Sequence, residues 1–81
     1  MYIISQSKKS IVNTENTIIT IDNYFKIMAI GYVGKIILGK YKTEERTKEI
    51  INEIFNAIND CEYYKIQKSI NYTSNYMMPE E

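Results

Sequence analysis

The chain has 81 residues, with 10 basic and 10 acidic side chains, no His and one Cys. A chain this short builds one domain, which we expect to span residues 1–81. Zero net charge excludes a strong overall attraction to duplex nucleic acid or to an anionic membrane. Because there is no His and only Cys61, the usual structural zinc sites and His-based triads are excluded, and we expect no metal and no cofactor.

Short β-branched and aromatic runs fill the first half of the chain. Polar or Gly-containing connections of a few residues separate them, and such tight spacing favours antiparallel neighbours. We therefore predict an antiparallel β-meander of about four to five strands over residues 1–42. Gly39 predicts a bulge or a close approach of another part of the chain. The runs are residues 2–6, 11–13, 17–22, 25–32 and 35–41.

The period changes to a helical one after Thr43, which is a good N-cap residue. Glu44 and Glu45 in the first turn complement the helix dipole. We predict one main helix over residues 43–61 that packs on the sheet, which gives an α+β fold. Residues 62–81 follow as a short strand or an ordered tail, with 63–73 the candidate strand and 74–81 the tail. The apolar helical positions are Ile50, Ile51, Ile54, Phe55 and Ile58.

Both faces of the predicted sheet carry isoleucine. The adjacent pairs Ile3–Ile4, Ile18–Ile19 and Ile36–Ile37 each place one side chain on either face. One helix covers one face only, and four or five exposed Ile would forgo on the order of 10 kcal/mol of burial. We therefore predict a homo-oligomer with an interface on the sheet.

Charge divides along the chain. Residues 1–42 carry six Lys and two acids, a net charge of +4, whereas residues 43–62 carry two bases and six acids, a net charge of −4. This division fits complementarity within or between chains, or exposed Lys residues that meet an anionic ligand.

We expect no enzyme and no membrane span. Asp60 and Glu62 flank Cys61 and disfavour a thiolate, and Gly31 to Lys35 lack the spacing of a phosphate loop. The apolar stretch 27–38 is interrupted and too short for a bilayer. An unpaired Cys and an N-terminus unlike a signal peptide lead us to expect a bacterial cytoplasm.

Binding groups are more abundant than catalytic ones. Eight Tyr and eight Asn supply rings and amides that can hold a base or ribose, although the same Tyr residues could simply pack. Two cations beside the helix start would neutralise phosphate, and two Asn-Tyr pairs near the C-terminus would bond and stack. The candidate ligand-binding residues are Lys42, Arg46, Asn71, Tyr72, Asn75 and Tyr76.

About a third of the chain is made up of four stretches that form a recognisable set: Met1–Gln6, Ile11–Asn13, Ile37–Arg46 and Tyr76–Glu81. Together they resemble a group of small phage and prophage proteins with a β-meander, one or two helices and a Met-Pro-Glu ending. In general plan this group is similar to the Thoeris anti-defence sponges. Those proteins are oligomers that sequester cyclic ADP-ribose-type signals, and in some cases cyclic oligonucleotides, between subunits.

The resemblance implies a non-enzymatic phage or prophage anti-defence protein that sequesters a nucleotide immune signal in pockets between subunits. The alternative is a small protein–protein interaction module that inhibits or regulates a host or phage protein through an apolar sheet face. Pockets lined with Tyr and Lys favour the first function, and a flat dry surface favours the second.

Overall fold

A computed structural model describes residues 1–32, 34–68 and 75–81, with the backbone alone for residues 63–68. The fold is α+β, with two mostly antiparallel sheets, a C-terminal helix and a short strand after it, which confirms the predicted class. The elements are β1 (Tyr2–Ile4), β2 (Ile11–Asn13), a 3-10 turn (Thr14–Asn16), β3 (Ile18–Ile21), β4 (Lys26–Gly31), β5 (Gly34–Lys40), α1 (Glu44–Lys68) and β6 (Asn75–Met77).

The first sheet has the strand order β2-β1-β6. Ile3 of β1 lies opposite Val12 in an antiparallel pair and opposite Tyr76 in a parallel pair. Residues 75–77, for which the sequence favoured a tail, thus form the third strand. A parallel pair needs a long crossover, which the chain from β1 to β6 supplies, and short-range sequence patterns cannot detect such a partner.

The second sheet is the antiparallel meander β3-β4-β5. Asp22 closes the β3–β4 turn, since its Oδ1 accepts hydrogen bonds from the main-chain N–H groups of Tyr24 at 2.8 Å and Lys26 at 3.0 Å. Ile27 pairs with Gly39, but the following Met28 pairs with Ile37. The extra residue between those two partners makes a bulge at Gly39, as predicted.

A single apolar core lies between the inner faces of the two sheets and one face of α1. The main-chain N–H of Gln6 donates a hydrogen bond of 2.7 Å to the carbonyl oxygen of Leu38, so the chain after β1 reaches β5. The largest apolar side chains that are fully buried belong to Ile3, Ile27, Leu38, Ile50 and Cys61. The core therefore draws on both sheets and on the helix.

α1 begins directly after Thr43, the predicted N-cap, and continues beyond the predicted end near Cys61 to Lys68. A strand over residues 63–68 was therefore the wrong interpretation, and residues 69–73 lie outside the described part of the chain. Once a helix has nucleated it propagates at little cost, and the sequence has neither Gly nor Pro between Gly39 and Pro79. The weak alternation of apolar and polar residues after Cys61 was not enough to end the helix.

The outer faces of the sheets carry apolar side chains, as the Ile pairs predicted. Ile18 is 66% exposed and Ile37 is 51% exposed, while their neighbours Ile19 and Ile36 face inward and are half-buried. The homo-oligomer that was expected to cover these faces stays a prediction.

Candidate functional site

A cavity of about 260 Å³ opens where β5 ends and α1 begins. Its wall carries three cationic and two acidic side chains, and we name it the Lys42–Arg46 groove. Two of the predicted ligand-binding residues, Lys42 and Arg46, therefore meet in one place. The full lining is Lys40, Tyr41, Lys42, Thr43, Arg46, Glu80 and Glu81.

The cap of α1 fixes the position of Arg46 in the groove. Thr43 Oγ1 accepts a hydrogen bond of 3.1 Å from the main-chain N–H of Arg46, as expected of an N-cap residue. The hydroxyl of Thr47, which is fully buried, donates to the main-chain oxygen of Thr43 at 2.8 Å. The first helical turn is thus held on both sides, and Arg46 projects from a rigid element.

The guanidinium of Arg46 already has partners within the chain. Its Nε donates a hydrogen bond of 3.0 Å to the main-chain oxygen of Glu81. Its Nη1 lies 3.7 Å from a carboxylate oxygen of Glu49 and 3.6 Å from one of Glu53. These ion pairs are partly exposed and therefore weak. An incoming anion would share Arg46 with the chain's own carboxylates.

The two lysines of the groove differ from Arg46. Lys40 and Lys42 are exposed and make no side-chain ion pair with the residues that the structure describes. Lys42 is the residue directly before the Thr43 cap. Main-chain hydrogen bonds lower the pKa of Asp22, and the charge of Lys40 adds to this effect. The Lys42 ammonium is therefore the cation of the groove that an anion could engage without disturbing a described contact.

Gln6 ties the C-terminal segment to the groove. Its Nε2 donates to the main-chain oxygens of Glu80 at 2.8 Å and Pro79 at 3.3 Å, and its Oε1 accepts from the N–H of Lys40 at 2.9 Å. One side chain from the end of β1 thus joins β5 to the last residues. Glu80 and Glu81 are held at the rim of the groove as a result.

Tyr76 lies behind the groove and packs against the core. Its hydroxyl is buried and makes no hydrogen bond of normal geometry within the described residues, although it interacts with the carboxylate of Glu53. Burial, and secondly the negative charge of Glu53, raise the pKa of Tyr76 to about 12, while Arg46 opposes the shift. Burial also raises the pKa of Tyr41, which forms the wall of the groove. The ring of Tyr76 supports that wall from the core side.

The remaining predicted site residues do not join the groove. Asn75 precedes Tyr76 in β6 and is exposed on the opposite, outer face of the first sheet, because successive strand residues alternate. Asn71 and Tyr72 lie outside the described residues. The structure thus unites the two predicted cations, sets Tyr76 behind them and separates Asn75 from them.

Sequence reasoning missed Gln6, Lys40, Tyr41 and the C-terminal glutamates as parts of this site. A signal was present in the basic Lys40-Tyr-Lys42 segment and the acidic Glu80–Glu81 ending, whose opposite charges attract. Nothing in the local pattern of Gln6 indicated its position, because its partners are more than 30 residues away in sequence, with separations of 34, 73 and 74.

A larger cavity of about 490 Å³ lies beside the ends of β3 and β4, near Asn16 and Tyr32. Glu15 is the charged residue in its lining, so it lacks the convergent cations of the Lys42–Arg46 groove. In the part of the chain that is described, no group of three or more His, Cys, Asp or Glu residues is placed to hold a metal ion.

Comparison with known proteins gives no relative: no protein-family model, curated protein or solved structure matches the chain. No helix in the described part of the chain has both the length and the hydrophobicity of a membrane span.

Proposed function

We propose that this chain is a non-enzymatic binding protein that holds the phosphate of a nucleotide in the Lys42–Arg46 groove. The observation that carries the proposal is the convergence of Lys40, Lys42 and Arg46 on one cavity beside an aromatic wall. Charge-assisted contacts of Lys and Arg are strong bonds for phosphate oxygens. The ring of Tyr41 is 5% exposed, so it supports the groove from behind and keeps the wall beside these cations apolar.

The size of the groove limits what it encloses. About 260 Å³ is below the range of about 300–1,000 Å³ that is usual for small-molecule sites. The groove therefore encloses the phosphate and adjoining ribose, and the rest of the ligand extends along the surface. We place the phosphate in this groove, where the resemblance implied a pocket between subunits.

The biological role that we propose for this binding is sequestration of a nucleotide immune signal by a phage or prophage protein. The resemblance to the anti-defence sponges supports that role. We also propose that the ligand is not turned over, because the chain has no His and its one thiol, Cys61, is buried on the inner face of α1. Such a protein lowers the free concentration of its ligand by mass action alone.

The test is native mass spectrometry and calorimetric titration with ADP-ribose derivatives, cyclic oligonucleotides and inorganic pyrophosphate. Lys42→Ala should weaken binding of a retained ligand about tenfold or more, as expected for loss of a charge-assisted bond. Lys35→Ala, which removes an exposed lysine outside the groove, should leave affinity unchanged. Recovery of an altered nucleotide would contradict a binding protein, and equal loss in both variants would contradict this groove.

A second candidate function is a protein-binding module that acts through the outer face of the first sheet. Ile4 of β1 lies opposite Ile11 on one side and Met77 on the other. Ile11 is 66% exposed and Met77 is 57% exposed, so an apolar row crosses all three strands. A row of this kind favours contact with another protein. Failure of every nucleotide to bind, with capture of a partner that Met77→Glu abolishes, would support this function instead.

A further inference from the structure

β3 (Ile18–Ile21) forms an edge of the second sheet and lacks the features that usually protect an edge. Edge strands are normally short, charged, interrupted by Pro or covered. β3 has four residues, one more than each edge strand of the first sheet, and contains only Ile and Thr, with neither charge nor Pro. At the other edge of the second sheet, the carbonyl of Leu38 already accepts a hydrogen bond from Gln6. β3 is therefore the edge of the second sheet that pairs with no segment other than β4 among the described residues.

A second feature lies beside this edge. α1 carries a stripe with alternating spacings of three and four residues, which forms one face of a helix. The stripe is apolar in its middle, and Phe55 at its centre is 61% exposed. Ile19 of β3 and Phe55 line the same shallow cavity of about 190 Å³. The middle of the strand therefore lies next to the middle of the stripe. The stripe residues are Lys48, Ile51, Phe55, Ile58 and Glu62.

We propose that β3 and this stripe form the interface of a two-fold homodimer. Antiparallel pairing of β3 with β3 of a second copy joins the two sheets, and α1 then meets its own copy in the antiparallel direction. Lys48 and Glu62 stand 7 residues to either side of Phe55. With Phe55 near the axis, Lys48 of each copy therefore lies opposite Glu62 of the other. Within its own chain Lys48 Nζ lies 3.2 Å from a carboxylate oxygen of Glu44 in an exposed, weak pair, and Glu62 of the second copy adds to it. One axis near Ile19 and Phe55 satisfies both the strand pair and the helix pair.

The arrangement of charge identifies the occupant as a second copy. A two-fold interface brings each residue at its axis against itself, so a charge there would repel its twin. The centre, with Ile19, Thr20 and Phe55, is uncharged. Away from the centre, Lys48 and Glu62 carry opposite charges, which the two-fold axis brings together twice.

This dimer goes beyond the proposed ligand binding and stands independently of it. The Lys42–Arg46 groove begins where β5 ends, and β5 forms the edge of the sheet opposite β3. Each copy therefore keeps its own groove open to solvent. A dimer that binds no nucleotide would leave the interface intact and contradict only the proposed function.

The experiment is sedimentation equilibrium of the full chain and of charge variants in the stripe. Lys48→Glu and Glu62→Lys should each raise the dimer dissociation constant about tenfold or more, because each places like charges opposite one another twice. The double variant Lys48→Glu/Glu62→Lys should restore dimerisation to near the parent value, since the pairs reform with reversed signs. Restoration is specific to an antiparallel helix pair centred on Phe55.

Two further variants distinguish this surface from others. Phe55→Glu should reduce dimerisation at least a hundredfold, as for a central interface residue, while Met77→Glu, equally exposed on the other sheet, should leave it unchanged. Circular dichroism confirms that each variant is folded. A monomeric parent chain at millimolar concentration, a dimer that survives Phe55→Glu, or a double variant no better than the single ones would each overturn the proposal.

Discussion

The hydroxyl of Tyr41 donates a hydrogen bond of 2.7 Å to the main-chain carbonyl oxygen of Pro79, across a sequence separation of 38 residues. This bond ties the end of β5 to the C-terminal segment. The nearby Tyr76 also points its hydroxyl inward, but that group makes no hydrogen bond of normal geometry within the described residues and only interacts with the Glu53 carboxylate. The same substitution at these two tyrosines should therefore have different effects.

Tyr41→Phe should lower the free energy of unfolding by about 1 kcal/mol, because it deletes a satisfied hydrogen bond and leaves the Pro79 carbonyl without it. Tyr76→Phe should leave stability unchanged or raise it by about 1 kcal/mol, because it removes a buried polar group that lacks a well-formed hydrogen bond. Urea unfolding of both variants measures the difference. A larger loss in Tyr76→Phe than in Tyr41→Phe would contradict the hydrogen-bond assignment.

Alkaline pH should destabilise the protein through Tyr76. Its pKa is raised to about 12 in the folded chain, above the value of about 10 for a free tyrosine. The folded state therefore holds this proton more tightly than the unfolded state does. The corresponding stability is complete below about pH 10 and is lost as the pH rises towards about 12.

Unfolding measured across that pH range should show a shallower decline for Tyr76→Phe than for the parent chain. Tyr24→Phe, which removes a hydroxyl from a ring that is 71% exposed, is the control and should follow the parent. Parallel curves for all three proteins would rule out the assigned contribution of Tyr76.

Gly39→Ala should destabilise the groove. A Cβ at Gly39 would lie 2.7 Å from Tyr41 Oη and 2.9 Å from its Cε2, so the ring would have to move away from the strand. We expect a loss of about 1–3 kcal/mol, as for overpacking. Gly31→Ala is the control, because its Cβ would meet the main-chain oxygen of Asn16 at an ordinary 3.7 Å. Equal melting temperatures for the two variants would contradict this role of Gly39.

The C-terminal glutamates should compete with an anionic ligand. Glu80 and Glu81 line the groove beside its three cations, and their carboxylates repel phosphate oxygens. The double variant Glu80→Gln/Glu81→Gln keeps the main-chain contacts to Gln6 and Arg46 while it removes two negative charges. Its affinity for inorganic pyrophosphate should rise several-fold at low salt and less at high salt.

Glu15→Gln/Asp60→Asn also removes two charges, but from positions outside the groove, and is the control for net charge. Calorimetric titration of both double variants separates a local effect from a global one. An equal gain in both would show that only the overall charge of the protein matters.

The strands of the meander and the start of the helix followed from local patterns. Thr43 is the N-cap because its side chain accepts a hydrogen bond from the main-chain N–H of Arg46, which is only three residues later in the sequence. Gly39 marked a bulge for a similarly local reason. In contrast, Asn75 and Tyr76 were expected to share a ligand site, yet strand alternation sends them to opposite faces of β6, which the sequence predicted as a tail.

The candidate site divides in the same way. Lys42 and Arg46 were found because both lie beside a predictable helix start. Gln6, Tyr41 and Pro79 were not, because their hydrogen bonds join the two ends of the chain. A pattern within ten residues carries no information about such a pair.

By itself, the sequence determined the α+β class, the short-range strand order, the helix cap and the surplus of isoleucine on two faces. These depend on side-chain periodicity and on contacts between near neighbours. Only the tertiary structure decided that β6 pairs with β1, that acidic residues from the C-terminus line a cationic groove, and that β3 stays open beside Phe55. Those arrangements depend on which distant segments fill the remaining space around the shared core, a choice made by packing of the whole chain.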